Sequence, residues 1–179
     1  MEQIRIHGRG GQGVVTAAEL IAIAAFNEGK YAQAFPNFGV ERTGAPIQSY
    51  ARISNEPIIT REQIYHPTVL IIQDATLLET TEIIKGTDKN TIFIINAPEN
   101  YKLRIKLPSK KVFFCAATEI ALEIFGKNIV NTIILGAFAK HSGLVNLEAL
   151  KTAIKEKFQD KGAIIIEKNI IAIEKAYND

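Results

Sequence analysis

Two runs of four consecutive apolar residues constrain the fold of this chain more than any other feature. Val69 to Ile72 and Ile92 to Ile95 contain no polar residue, as expected of parallel strands that are covered on both faces. Parallel neighbours need a crossover connection, which is usually helical. Between the two runs, Thr76-Leu77-Leu78-Glu79 has the pattern of a capping box and predicts a helix toward Lys85. The middle of the chain therefore has the pattern of a strand, a helix and a parallel strand.

The rest of the chain continues this alternation. The segment Ile47 to Ile53 alternates with period two and predicts a half-exposed strand, antiparallel and near an edge. Further strands are predicted at Gln3–His7, Lys30–Phe35 and Val112–Cys115, and further helices at Val14–Phe26, Glu119–Phe125, Ile129–Lys140, Leu147–Phe158 (capped by Asn146) and Ala163–Tyr177. The expected fold class is α/β: a single Rossmann-like domain over residues 1–179, with an open, mostly parallel sheet and helices on both faces.

Composition excludes several functional classes. The 21 basic and 19 acidic residues leave a net charge of +2, which is too small to indicate a nucleic-acid partner. We see no membrane span and no signal peptide, so we expect a cytoplasmic protein. The single cysteine, Cys115, and three scattered histidines predict no metal site in this chain. Any redox centre is therefore expected elsewhere.

The glycine cluster Gly8-Arg9-Gly10-Gly11-Gln12-Gly13 joins the first predicted strand to the first predicted helix. A strand that turns through glycines into a helix exposes backbone N–H groups at a positive helix terminus, where they can hold a phosphate. The segment lacks both the acidic ribose ligand of nicotinamide-binding units and the Lys-Ser or Lys-Thr of P-loops. The alternative is that the glycines only permit a tight turn and close packing.

A second unusual segment runs from Phe35 to Pro46. Its two prolines and two glycines disfavour regular structure, yet it also carries Phe38, Glu41 and Arg42. Such loops on α/β scaffolds are often functional, and this one is expected to lie beside the glycine cluster. We therefore predict that Phe38, Glu41 and Arg42 contact a partner or a ligand. The alternative is a connector whose phenylalanines fill the core.

Three other polar residues are weaker candidates for a functional role. His7 ends a strand and is expected to be a structural group, although it could donate a hydrogen bond to a ligand. Cys115 is expected to be a small buried hydrophobe, and Asp74 is expected to form a turn beside Thr76. No residue of this chain is assigned a catalytic role.

Four segments together resemble the gamma subunit of pyruvate:ferredoxin oxidoreductase, also called pyruvate synthase. They are Ile6 to Val14, Phe38 to Pro46, Gln73 to Glu79, and Asn131-Thr132 with Gly136-Ala137-Phe138. The resemblance spans almost the whole chain. It implies a multisubunit anaerobic enzyme that converts pyruvate and coenzyme A reversibly to acetyl-CoA and CO2 while reducing ferredoxin.

The resemblance also implies where the cofactors lie. Thiamine diphosphate, Mg²⁺ and 4Fe–4S clusters belong to thiamine-binding alpha and beta subunits and a ferredoxin-like delta subunit. This chain is expected to bind no cofactor alone and to be inactive in isolation. We expect it to cover the active site of its partners, with the N–H groups of residues 8–13 and the Arg9 side chain contacting the phosphates of coenzyme A. The alternative is that this segment faces a partner subunit and meets no ligand.

One departure from the family pattern lies in the segment Phe35 to Pro46. Thr43 stands where family members commonly have a second arginine, so an anion contact by that arginine is lost here. Gly44-Ala45-Pro46 is similar to the pyruvate type, but gamma-type subunits for 2-oxoglutarate, branched-chain 2-oxoacids or indolepyruvate remain alternatives. A stand-alone nucleotide-binding regulatory domain is a further alternative, whereas the missing ribose acid disfavours a self-contained dehydrogenase.

Overall fold

The computed structural model describes residues 1–37, 43–79 and 81–179, and its centre is a six-stranded sheet. The strands are β1 Glu2–Arg9, β2 Tyr31–Pro36, β3 Pro46–Ser54, β4 Val69–Ile72, β5 Ile92–Asn96 and β6 Val112–Cys115. Their spatial order is β2-β3-β1-β4-β5-β6. Strands β1, β4, β5 and β6 pair in parallel, whereas β3 is antiparallel to both β1 and β2. The predicted open, mostly parallel sheet is confirmed, and so is an antiparallel β3 near one edge.

Five α-helices pack on one face of this sheet. They are α1 Val14–Asn27, α2 Ala117–Phe125, α3 Ile134–Ser142, α4 Leu147–Lys157 and α5 Ala163–Asn178. All five contribute to one apolar cluster with Ile4 and Ile6 of β1 and Ile71 of β4. We call this the α face of the sheet.

The second face is covered differently. Leu70 and Ile72 of β4 pack there against the short 3-10 helices Ala75–Glu79 and Thr81–Ile84 and against irregular chain around residue 101. Because side chains alternate along a strand, Arg5 and His7 of β1 point toward this face. Helices therefore lie on both faces as expected, but those that the structure describes on the second face are short 3-10 helices.

Two helix predictions were wrong in detail. The segment from Thr76 to Lys85 is not an α-helix, because the Thr76 hydroxyl donates to Asp74 Oδ1 (2.6 Å) and accepts from Arg9 Nη2 (2.7 Å) instead of capping a helix. Helix α3 begins at Ile134 rather than Ile129, after a turn in which Thr132 Oγ1 donates to Asn169 Oδ1 at 2.6 Å. In both places a side chain bonds to a residue distant in sequence, Thr76 to Arg9 and Thr132 to Asn169, which local patterns do not encode.

Strand β3 is also more buried than its pattern predicts. Tyr50 and Arg52 lie at its polar positions, and each is only 1% exposed. The alternating pattern of polar and apolar residues correctly predicted a strand. The face of β3 that was expected to be exposed is covered by the chain that follows β3. None of the described helices is both long and apolar enough to span a membrane.

Candidate functional site

The glycine cluster spans the end of β1 and the turn into α1. Gly8 and Arg9 still belong to β1, so the turn begins later than the sequence suggests. Gly10 N–H donates to the Ala45 carbonyl (2.9 Å), and Gly44 N–H donates to the Gly10 carbonyl (3.1 Å). Residues 43–46 therefore lie beside the glycine cluster, as predicted. Phe38, Glu41 and Arg42 lie outside the described residues, and their role stays a prediction.

The turn itself requires glycine at two positions. Gly11 has φ 93° and Gly13 has φ 69°, in the left-handed region that disfavours other residues. A Cβ on Gly13 would also lie 2.5 Å from Asn131 Nδ2. The turn thus brings the backbone close to a side chain that is 8% exposed and forms no hydrogen bond within the described part of the chain.

This turn leaves backbone donors free at the start of α1. The helix has no side-chain cap, and its first hydrogen bond to the preceding turn runs from Ala17 N–H to the Gly13 carbonyl (3.1 Å). Among the described residues, no acceptor meets the N–H groups of Gly11, Gly13 or Val14. Free N–H groups at a helix N-terminus are suited to bind an anion.

Arg9 is already engaged within the chain. Its Nε donates to Asp74 Oδ2 at 2.6 Å, its Nη1 to the Gly44 carbonyl at 3.2 Å and its Nη2 to Thr76 Oγ1 at 2.7 Å. An arginine carries five N–H donors, so two remain, and the side chain is 35% exposed. Arg9 can therefore still donate to a ligand, but its charge is partly neutralised.

Asp74 forms the predicted turn. Its Oδ1 accepts the N–H of Thr76 at 3.0 Å, in addition to the Thr76 hydroxyl. Partial burial works to raise the pKa of Asp74, but the hydrogen bonds from Thr76 and Arg9 outweigh it and hold that pKa below its ordinary value. Asp74 is thus an ionised partner that fixes the position of Arg9.

A polar cavity, which we call the amide pocket, lies at the carboxyl ends of β4 and β5 beside this turn. Its volume is about 320 Å³, and its polar lining includes Gln12, Gln73, Asp74, Asn96, Thr118 and Asn128. Open α/β sheets bind ligands at this end of their strands. Gln73 and Asn96 were not predicted as site residues, although each directly follows one of the two apolar runs.

Asn96 and Gln73 differ in how they are satisfied. Asn96 Nδ2 donates to the Gln73 carbonyl and to Thr118 Oγ1, both at 2.9 Å, and its Oδ1 accepts from Thr118 N–H at 3.1 Å. The Gln73 side chain is fully buried, and neither of its terminal atoms has a partner among the described residues. Of these two side chains, Asn96 is held by its neighbours, whereas the Gln73 amide keeps both its donor and its acceptor unused among the described residues.

His7 and Cys115 fit structural rather than chemical roles. Burial, with a smaller contribution from Arg5, lowers the pKa of His7 to about 3, so this ring is neutral near pH 7. Burial raises the pKa of the Cys115 thiol to about 12, so it is no thiolate nucleophile. Within the described ranges, no three His, Cys, Asp or Glu side chains are grouped to hold a metal ion.

Comparison with known sequences shows the family. The sequence model described as pyruvate ferredoxin/flavodoxin oxidoreductase matches residues 3–178. The pyruvate synthase subunit PorC of Methanosarcina barkeri is 52% identical over 156 residues, which cover 87% of this chain and 85% of that protein. The pyruvate/ketoisovalerate oxidoreductases common subunit gamma of Thermococcus kodakarensis is 50% identical, covering 99% of this chain and 96% of that one.

Solved structures of related proteins have the same fold as this chain. The pyruvate oxidoreductase subunit PORC of Thermotoga maritima superposes with a TM-score of 0.85 at 34% identity, covering 99% of this chain and 96% of that one. A 2-oxoglutarate:ferredoxin oxidoreductase from Magnetococcus marinus shares the fold, with a TM-score of 0.77 at 22% identity over 99% of this chain and 30% of that one. The chain therefore belongs to the pyruvate ferredoxin/flavodoxin oxidoreductase family, as a gamma-type subunit of a 2-oxoacid:ferredoxin oxidoreductase.

Proposed function

We propose that this chain is the gamma subunit of a pyruvate:ferredoxin oxidoreductase, where it covers the active site of its partners and contacts the phosphates of coenzyme A. The observation that carries the proposal is the turn through Gly11 and Gly13, which leaves N–H groups free at the start of α1. These donors are fixed by the backbone, so they bind an anion without reorganising. The complex reversibly converts pyruvate, coenzyme A and oxidised ferredoxin to acetyl-CoA, CO2 and reduced ferredoxin.

The redox chemistry belongs to the partner subunits. A 4Fe–4S cluster needs four cysteine ligands, and this chain has one cysteine, which is buried. The residues of this chain therefore do not fit a cluster. We assign thiamine diphosphate, Mg²⁺ and the clusters to alpha, beta and ferredoxin-like delta subunits, with ferredoxin as the electron acceptor of the complex.

Pyruvate is the 2-oxoacid that the relatives favour. It appears both in the name of the Methanosarcina barkeri subunit and in that of the Thermococcus kodakarensis subunit. The second name also includes ketoisovalerate, which supports a gamma subunit shared between two enzymes. Purification through a tag on this chain, followed by assays with pyruvate and with 2-ketoisovalerate, separates a dedicated subunit from a shared one.

Arg9 completes the proposed phosphate site. Arg9 belongs to the same segment as the free N–H groups and keeps two unused donors, and Asp74 holds its guanidinium in place. A charge-assisted hydrogen bond of this kind contributes about 1.5–3 kcal/mol. Coenzyme A is therefore held by a rigid backbone turn and one oriented cation.

Steady-state kinetics of the reconstituted complex test this site with a matched pair of variants. Arg9→Ala is expected to raise the Michaelis constant for coenzyme A by about 10- to 100-fold and to leave that for pyruvate unchanged. Asp74→Asn keeps the arginine charge and the shape of its partner, so it should leave the constant for coenzyme A near or below its original value. An equal rise in both variants would assign the ion pair to structure alone and remove the phosphate role of Arg9.

A further inference from the structure

Strand β6 forms one edge of the sheet, and its outer side is unpaired. Backbone N–H groups in and just after β5 donate to the carbonyls of Lys111 and Cys115, with N–O distances of 2.8 and 3.0 Å. Because successive residues of a strand direct their backbone groups to opposite sides, Val112 and Phe114 face away from β5. Among the described residues, no strand or backbone group pairs with the outward N–H and carbonyl groups of these two residues. Such an edge is a template for a further strand.

A groove, which we call the edge groove, runs beside β6. Its volume is about 510 Å³, and it is lined by every residue of β6 together with parts of α3 and α5. The Phe113 ring stacks there on His141 of α3, with ring centres 3.9 Å apart. Lys140 and Glu99 also line the groove. The edge groove therefore leaves room for a second chain beside the unpaired strand.

Charge is distributed unequally along β6. Lys110 and Lys111 directly precede the strand, and both are exposed. Glu119 and Asp179 lie at the opposite end, close enough to Cys115 that their negative charges help to raise the pKa of its thiol. The strand therefore has a basic amino end and an acidic carboxyl end, a pattern that is complementary to itself when it is reversed.

We propose that the outer edge of β6 pairs antiparallel with the same edge of a second copy of this chain, which joins the two sheets into one continuous sheet. A twofold axis at Phe113 places Val112 opposite Phe114 of the second copy, so the outward backbone groups satisfy one another. The same axis sets the two Phe113 rings against each other and the basic end of each strand beside the acidic end of the other. A parallel partner strand would bring like charges together. None of residues 8–13 lines the edge groove, so the proposal does not depend on the coenzyme A contact.

Sedimentation equilibrium of the full-length chain tests the pairing. We expect the unaltered chain to form a dimer. Val112→Pro removes an outward N–H but none that pairs with β5, so it should weaken dimerisation about 5- to 150-fold, since each copy loses one hydrogen-bond donor. Val112→Ala keeps that N–H and should dimerise like the unaltered chain. Both variants should keep the circular dichroism of the unaltered chain, because proline is tolerated at the first residue of an edge strand.

Cysteine cross-linking tests the register. The twofold axis places Lys111 opposite Cys115 of the second copy in a non-hydrogen-bonded pair, whose Cα separation of about 4.5 Å permits a disulfide. Lys111→Cys should therefore form a covalent dimer under mild oxidation. Lys110→Cys, the matched control, points to the other side of the sheet and lies opposite no cysteine, so it should not.

Three results would overturn the proposal. A monomeric unaltered chain would mean that Lys110 and Lys111 protect the edge from pairing. A dimer that Val112→Pro leaves intact would place the contact elsewhere on the surface. Equal cross-linking of Lys110→Cys and Lys111→Cys would exclude the register centred on Phe113.

Discussion

The two faces of the sheet are held by different forces. On the α face, five helices bury apolar side chains such as Ile4, Ile6 and Ile71 against each other. On the second face, β1 and β3 present Arg5, His7 and Arg52, and these side chains are nearly as buried. Burial alone therefore does not make a core apolar, because irregular chain supplies carbonyl groups that buried cations can bind.

Arg5 shows how the second face is assembled. Its Nη1 donates to the Ile64 carbonyl at 3.3 Å, and its Nη2 donates to the carbonyls of Ile83 and Lys85, both at 2.8 Å. Arg52 donates to the Glu62 carbonyl and to Gln33 Oε1, and it lies 5.0 Å from the centre of the Phe35 ring. Neither arginine forms an ion pair within the described ranges, and burial lowers the pKa of both. The two arginines thus fix segments that have little secondary structure of their own.

The largest expected effect comes from removing Arg5. Arg5→Leu leaves the carbonyls of Ile64, Tyr65, Ile83 and Lys85 without a charged donor, so we expect the free energy of unfolding to fall by about 3–5 kcal/mol. Urea titration followed by circular dichroism measures this loss. Hydrogen exchange should quicken first in residues 60–67 and 81–86, the segments that Arg5 holds.

Two control variants test whether the stability lost in Arg5→Leu comes from the second face. Ile6→Ala, on the neighbouring residue that faces the helices, should cost about 2–5 kcal/mol, but hydrogen exchange should quicken across the whole sheet. Arg61→Leu removes an exposed arginine and should change stability by less than about 0.5 kcal/mol. If Arg5→Leu costs no more than Arg61→Leu, buried cations do not hold the second face.

A smaller effect is expected from pH, through His7 on the second face. Its pKa falls from an ordinary 6.5 to about 3 on folding, so the unfolded chain binds a proton below pH 6.5 that the folded chain does not. Stability should therefore fall as the pH drops from about 6.5 toward about 3, by about 1.4 kcal/mol per pH unit. At pH 5 the loss reaches about 2 kcal/mol, measurable by urea titration at pH 7 and pH 5.

His7→Gln separates this group from the others that titrate nearby. Burial also lowers the pKa of His141, which adds a loss of the same sign in the same window. The pKa of Asp74 lies below its ordinary value of 3.8, so its contribution is lost only at lower pH. The variant should flatten most of the slope between pH 6.5 and pH 5, and an unchanged slope would exclude His7 as its source.

The α face was largely predictable from sequence because its signals are local. The apolar spacing in Val14 to Phe26, the uninterrupted runs that became β4 and β5, and the cap at Asn146 each lie within one element. Local patterns also indicated the strand, turn and helix at the glycine cluster. The bounds differed most at β1, which is longer than predicted, at α2, which begins at Ala117 rather than Glu119, and at α3, which runs from Ile134 to Ser142.

The second face was not predictable in the same way because its contacts are distant in sequence. Arg5 meets carbonyls 59 to 80 residues away, and Arg9 meets Thr76 from 67 residues away, which is why a capping box became a 3-10 turn. Alternation along β3 predicted an exposed Arg52, since nothing local encodes the chain that covers it. The candidate site shows the same contrast between local and distant signals. Its glycines were predicted from a local motif, whereas Gln73 was not predicted.

The smallest expected effect concerns a local contact on the α face. Asn146 Oδ1 accepts the N–H of Ala149 at 2.7 Å and caps α4. Asn146→Ala should lower the free energy of unfolding by about 1 kcal/mol, the usual value for such a cap. Asn178→Ala, near the exposed end of α5, is the matched control and should be close to neutral. Urea titration measures the free energy of unfolding of both variants. In Asn146→Ala, hydrogen exchange is expected to quicken only in the first turn of α4. A loss that instead spreads to residues 60–67 would mean that the two faces unfold together, and the contrast drawn between them would then describe contacts but not stability.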